Sequence, residues 1–209
     1  FVSEPYTKLM CSFPTIDLAA AVVVTSEALA DRVGVSSPRV HPWGIVAAAE
    51  PGPPSTWPDM HRSTALAAIV DRLLEWTGVA PGGSGGFDLY SCFPAAVQLA
   101  TQAFGIDAFT DPRPLTTTGG LPYFGGPGAS YSLHGIVGAV AAVRADPGSI
   151  GAVVGVGGMA NDFAAGLLSV AEPRSPGRWV QAPDITAALV ARQVGIATAY
   201  PAHDLKHDR

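Results

Sequence analysis

The groups best equipped for chemistry fall in three short stretches. The first is Tyr90-Ser91-Cys92-Phe93, which follows the apolar run opening at Phe87. Read as a strand, that run puts the motif at a strand's carboxyl end, where open α/β sheets receive their ligands. A thiol there, beside the helix start marked by Pro94, is expected to have a lowered pKa and to serve as base or nucleophile. The plainer alternative for Cys92 is an inert buried cysteine, common for this residue type. The second stretch is Thr118–His134, TGGLPYFGGPGASYSLH, dense in glycine at Gly119, Gly120, Gly125 and Gly126. Glycines so clustered mark a backbone pressed by ligand or by another chain segment. The loop runs into a helical pattern whose free N–H donors and positive dipole end favour anionic or polarised groups. Tyr123, Tyr131 and His134 are the polar side chains within reach of it. A tight structural crossover explains the same glycines. The third stretch, Gly155-Val-Gly-Gly-Met159, reads as a turn between two core strands.

Other catalytic signatures are missing. The sequence holds no phosphate-binding loop with lysine, no dinucleotide fingerprint after a strand, no HExxH and no GxSxG elbow. His41 and His61 fall in or near loops and are expected to be solvated. His203-Asp204 and His207-Asp208 sit in a tail that reads as disordered, so no metal is expected. Cys11 and Cys92 lack zinc-type spacing and read as reduced thiols of a cytoplasmic protein. A net charge of −5 gives no footprint for nucleic acid. The apolar runs Leu18–Val24 and Ile136–Val143 are too short to span a bilayer. With 48% hydrophobic and 14% charged residues, the 209-residue chain is expected to fold around a substantial core. It opens on Phe1 rather than Met and carries no signal-peptide pattern, and is expected to be a processed or truncated piece.

The elements that must position these residues follow from periodicity and punctuation. Leu18–Thr25 is a continuous apolar run, expected to be a strand buried on both faces. Ser26 caps a short helix that Gly34 ends. Arg39–Ala48 reads as the next strand, interrupted by Pro42. A clear amphipathic helix spans Arg62–Trp76. Phe87–Ser91 is a strand, and Pro94–Phe104 a helix closed by Gly105. Ser130–Arg144 is a helix, and Ile150–Val156 with Phe163–Val170 a terminal hairpin. Glu172–Pro183 reads as a linker, Asp184–Val194 as one more helix, and the last fifteen residues as a tail. Strands alternating with helices indicate a three-layer α/β domain with a mixed sheet.

Taken in order, these segments resemble the thiolase superfamily, from about Pro5 to Val170. PYTKLMCSFPTIDLAAAVVVTSEALADRVGV resembles the last strand and helix of the thiolase N-terminal half. FDLYSCF resembles the strand ending in the motif written HDCF in sterol-carrier-type thiolases. GGLPYFGGPGASYS resembles the glycine–histidine–proline loop, and VVGVGGMANDFAAGLLS the final hairpin with its Cys-x-Gly signature. The resemblance implies the C-terminal half of a thiolase-like fold, an α-β-α domain on a mixed five-stranded sheet. It divides the chain into 1–37, the end of the N-terminal domain; 38–171, the C-terminal domain; and 172–209, linker and tail.

The implied activity is acyl-CoA C-acyl transfer of the acetyl-CoA acetyltransferase type, in fatty-acid or sterol side-chain metabolism. A coenzyme A thioester is the substrate, and no cofactor is bound. The family's nucleophilic cysteine lies upstream of anything in this chain. Tyr90 stands where the motif's leading histidine or asparagine helps build an oxyanion hole. Gly126 stands at the loop's catalytic histidine, between Gly125 and Pro127, and Val153, two residues before Gly155, at the Cys-x-Gly cysteine. Cys92 is retained at the cysteine of HDCF, to which the sterol-carrier-type enzymes give the acid/base role. Implied partners are the missing N-terminal half or a partner chain, with a small partner protein or an additional C-terminal domain as in some relatives. Two alternatives compete. One is a retro-aldolase acting on β-hydroxyacyl-CoA through a Tyr90 of lowered pKa, with Tyr123 or Tyr131 nearby. The other is a non-catalytic acyl-CoA or lipid binder. Without the N-terminal half, Leu18–Thr25 should lie at a sheet edge or pair with another copy.

Overall fold

A mixed sheet runs through the molecule in the order β2-β3-β4-β1-β5. Its members are β1 (His41–Ala49), β2 (Gly86–Leu89), β3 (Ile150–Gly157), β4 (Asp162–Ser169) and the short β5 (Arg178–Val180). The computed structural model describes residues 2, 4–52, 54–57, 59–175 and 178–180. The expected helix Asp184–Val194 and the tail histidines lie outside the described residues. β2 and β3 run parallel, β4 pairs antiparallel with both β3 and β1, and β5 lies parallel to β1. Four of the five strands read from sequence therefore form the body of the sheet.

The fifth expected strand does not form. Leu18–Thr25 takes no regular structure, with Val23 92% and Val24 90% exposed. Its composition suits a buried strand, but among the described residues it pairs with neither edge of the sheet, β2 or β5. The expected linker in turn contributes β5 at the outer edge of β1.

Local signals set the helices. In α1 (Glu27–Arg32), the Ser26 hydroxyl accepts from the Leu29 N–H at the N-cap. α2 (Thr64–Thr77) is capped by Ser63 and closed by Gly78 in the left-handed conformation. Buried Glu50, just past β1, accepts from the Ser63 and Thr64 hydroxyls and the Ala65 N–H, placing a carboxylate at the positive end of α2. α3 (Pro94–Phe104) starts at its proline and ends at Gly105, and α4 (Tyr131–Ala145) follows the glycine loop.

Strand alternation separates two helical layers. Val46, Phe87, Leu89, Ala152 and Val154 pack with Leu66, Ile69, Leu73 and Phe104 of α2 and α3 in one core. The opposite face meets α4: a Cβ on Gly151 would touch Val143 and Ala139, and one on Gly135 would strike Asp88. The architecture is α-β-α. Both α4 and the Tyr90 motif reach the carboxyl end of β2.

Candidate active site

Asp88 organises the site from below. It is fully buried in β2, beside Val153 in the β2–β3 ladder. Its Oδ2 accepts from the Thr117 N–H and hydroxyl, both at 2.8 Å, and from the Thr118 N–H at 3.1 Å. These bonds fix the segment that enters the glycine loop. Thr118 passes the constraint upward, with its hydroxyl 2.6 Å from the Tyr131 hydroxyl and accepting the Gly120 N–H at 3.2 Å. Ser91 holds the other side of the loop by accepting the Leu121 N–H at 3.1 Å.

The aromatic residues stack on this frame. The Tyr90 and Tyr131 rings meet edge to face at 5.4 Å, and Phe124 lies 6.2 Å from Tyr131 and 5.2 Å from the His134 ring. Tyr90 and Cys92 are half-buried, whereas Tyr131 and His134 are buried. Of the expected cleft residues, Tyr131 is thus enclosed beneath Tyr90 instead of lining open space. His134 lies under Phe124 with its Nε2 unpartnered. Tyr123 turns outward, 74% exposed, and Gly119 is exposed as well. Gly120, Gly125 and Gly126 are buried in the loop. On the hairpin, Val153 is buried, and a Cβ on Gly155 would lie 3.0 Å from the Ser132 hydroxyl in the first turn of α4.

One component escaped the sequence reading. The stretch Cys11-Ser12-Phe13 inserts between the Tyr90 motif and the glycine loop. The Ser12 N–H donates to the Cys92 carbonyl at 2.9 Å and the Phe13 N–H to the Leu121 carbonyl at 3.1 Å, while the Phe13 carbonyl accepts the Gly126 N–H at 2.9 Å. Cys11 is buried and close enough to Cys92 to act on its titration. Asp88, the buried acid next but one to Tyr90, was the sequence signal that could have exposed the frame.

The insertion fixes the glycines. A Cβ on Gly126 would lie 2.6 Å from Leu121 Cδ2 and 2.7 Å from the Ser12 hydroxyl. Gly125 has φ of 106°, and its Cβ would meet Ile16 at 2.7 Å. The loop is packed as a glycine loop, with no space for a side chain at 126.

Electrostatics reverse two expectations. Burial pushes the Cys92 thiol above its ordinary pKa, and Cys11 adds to the rise. The backbone N–H groups of Phe93 and Cys92 pull it down without offsetting burial. The lowered pKa expected from the start of α3 is therefore not found. Tyr90 is raised too, by burial and then by Cys92, so it does not have the lowered pKa of a phenolic base. Tyr131 is raised further, chiefly by burial, with the Asp88 charge adding to the shift. At neutral pH all three are protonated donors.

A mixed α-β-α sandwich with a strand-end Tyr-x-Cys motif, a glycine loop leading into the next helix and a closing hairpin defines a thiolase-like α/β fold. The chain is similar to the crystal structure of a monomeric SCP2-thiolase-like protein type 1 from Mycobacterium smegmatis, with 32% identity and a TM-score of 0.74. The match covers 90% of this chain and 41% of that one, so the chain spans less than half the length of its solved neighbour. No protein-family profile and no curated protein matches it. Among the described residues, no helix is long and apolar enough to cross a membrane.

Proposed function

We propose that this chain carries the C-terminal half of a thiolase-type acyl-CoA C-acyltransferase site, completed by a complementary thiolase-like half on the same or another polypeptide. The observation that supports this most is the convergence of Tyr90 and Cys92 with the packed glycine loop at the carboxyl end of β2, in a thiolase-like frame. Tyr90, a protonated phenol, donates a hydrogen bond to the thioester carbonyl oxygen as negative charge develops there. Cys92 is a neutral thiol suited to give its proton to the α carbon of the departing enolate in the cleavage direction, and to take it back in condensation. Tyr131, enclosed below Tyr90, sets the plane of the Tyr90 ring. The complementary half supplies the acyl-accepting nucleophile.

Exposed apolar surface supports the need for that half. Val23 and Val24 stand free, and Ile45 is 47% exposed on the face of β1 opposite α2. A second β-sheet unit would cover such surface.

The test is acetoacetyl-CoA thiolysis by the chain joined to, or mixed with, a complementary thiolase-like N-terminal half. Cys92→Ala should lower turnover about 10²–10⁴-fold and Tyr90→Phe about 10²-fold. Turnover that survives both substitutions would sink the assignment. A second reading, a non-catalytic acyl-CoA binder, is favoured by one feature: the packing of Gly126 leaves no room for a loop histidine. Saturable acetyl-CoA binding by calorimetry with no turnover in any pairing would select it. The retro-aldolase alternative is the weaker one, because Tyr90 and Tyr131 are both shifted away from the phenolate a base requires.

A further inference from the structure

At the amino end of β1, the end of the sheet away from Tyr90 and Cys92, three potential ligands converge from distant parts of the sequence. Glu27 comes from the first turn of α1, His41 from the first residue of β1, and Glu172 from the chain just past β4. One ligand atom of each lies within 4.8 Å of both others. Together they line a cleft of about 420 Å³, with Pro42 and Arg174 on its wall. Topology brings them together: His41 pairs with Ser169 in the β1–β4 ladder, which delivers Glu172 three residues later.

We propose that Glu27, His41 and Glu172 form a divalent metal site that suits Zn²⁺. His41 Nδ1 and Glu27 Oε1 are 3.4 Å apart. That is about the spacing of two ligands held at roughly 2.0–2.1 Å around a tetrahedral zinc. Glu172 is exposed, and a side-chain movement of at most about 1.5 Å brings its carboxylate to the same spacing. One imidazole and two carboxylates are a donor set that zinc accepts, and the fourth position opens to the cleft. Without a cation, two carboxylates crowd a single imidazole. A dication removes that repulsion, whereas Arg174 on the wall works against it. The bound ion ties α1, the start of β1 and the segment after β4 into one unit. It is a structural clamp, remote from the acyl-CoA site and independent of the function assigned there.

The test is calorimetric titration of chelator-treated, tag-free full chain with Zn²⁺, followed by thermal melting and zinc X-ray absorption. Expected are one saturable site, a rise in Tm of about 5–10 °C at a hundredfold excess over Kd, and a first shell of nitrogen and oxygen with one imidazole. Both Glu172→Gln, at an exposed position, and His41→Ala should weaken binding at least about tenfold and abolish the shift in Tm. Arg174→Ala should tighten binding several-fold. Three results would overturn the proposal: no saturable binding below about 1 mM, affinity unchanged by both ligand substitutions, or sulfur in the first shell, which would place the ion at Cys11 or Cys92. An adventitious ion only, bound substoichiometrically and insensitive to Glu172→Gln, would overturn it as well.

Discussion

Asp88 and Gly135 offer a sharp test of how the site is built. Asp88→Ala removes the acceptor of two backbone N–H groups and one hydroxyl, at 2.8–3.1 Å. Bonds to a carboxylate contribute about 1.5–3 kcal/mol each, but Thr117 and Thr118 are only half-buried and water can replace part of the loss. The expected destabilisation is about 3–4 kcal/mol, with Asp88→Asn milder because one amide oxygen remains to accept. Gly135→Ala has a different origin. Its new Cβ would sit 2.6 Å from Asp88 Oδ1 and 3.0 Å from Cγ. Both elements are fixed by the sheet and by α4, so overpacking costs about 1–3 kcal/mol, against a helix-propensity gain of about 1 kcal/mol. In the Asp88→Ala background the two closest atoms are gone, and the next, the residue 88 Cβ, lies at 3.3 Å. Gly135→Ala should then be neutral or stabilising, a change of sign. Urea denaturation of the four proteins measures the cycle. A coupling below about 0.5 kcal/mol would refute the tight Asp88–Gly135 contact. A loss below about 1 kcal/mol for Asp88→Ala would refute its role as the anchor of the loop.

Three further predictions address the site and its surroundings. Gly126→His should not restore a catalytic histidine but should destabilise by about 1–3 kcal/mol, because its Cβ meets buried Leu121 and Ser12; Leu121→Ala in the same chain should relieve part of that loss, as read by urea midpoint. Cys92 is raised, so the unfolded chain releases this proton first as pH climbs. Stability should fall as pH rises from the ordinary thiol pKa towards the folded value, and Cys92→Ala should flatten that limb. Iodoacetamide should correspondingly modify Cys92 more slowly at pH 8 than it does a free thiol. Asp111 is held at about 2 by the Arg113 side chain, which also donates to the Gly82 and Ser84 carbonyls. Its contribution should be complete above the ordinary carboxylate range and be lost as pH falls towards 2, and NMR titration should show Arg113→Gln raising Asp111 part of the way to its usual range, because the residue 113 backbone N–H still donates to it.

Sequence legibility followed the range of the interactions involved. Ser26, Pro94 and Gly105 act on neighbours a turn away, and the helix ends they mark fall where their residue types place them. The valine-rich hairpin and the Tyr90 strand likewise carry their pattern within a few residues. Leu18–Thr25 shows where this stops: its composition states a preference for burial between strands, but not whether any strand pairs with it. Cys11–Phe13 carried no periodic signal because its role is three backbone hydrogen bonds to segments about eighty or more residues away.

The sequence alone determined the four helices and four of the strands, their order, the likeness to thiolases and the side-chain chemistry gathered at the end of β2. Tertiary structure decided the state of that chemistry. It enclosed Tyr131, turned Tyr123 outward, filled the space at Gly126 and raised Cys92 and Tyr90 where a helix start and a phenolic base had suggested lowered values. The reason is physical: capping and periodicity are local, whereas desolvation depends on every segment that closes over a group, and those segments lie tens of residues away in the chain on either side.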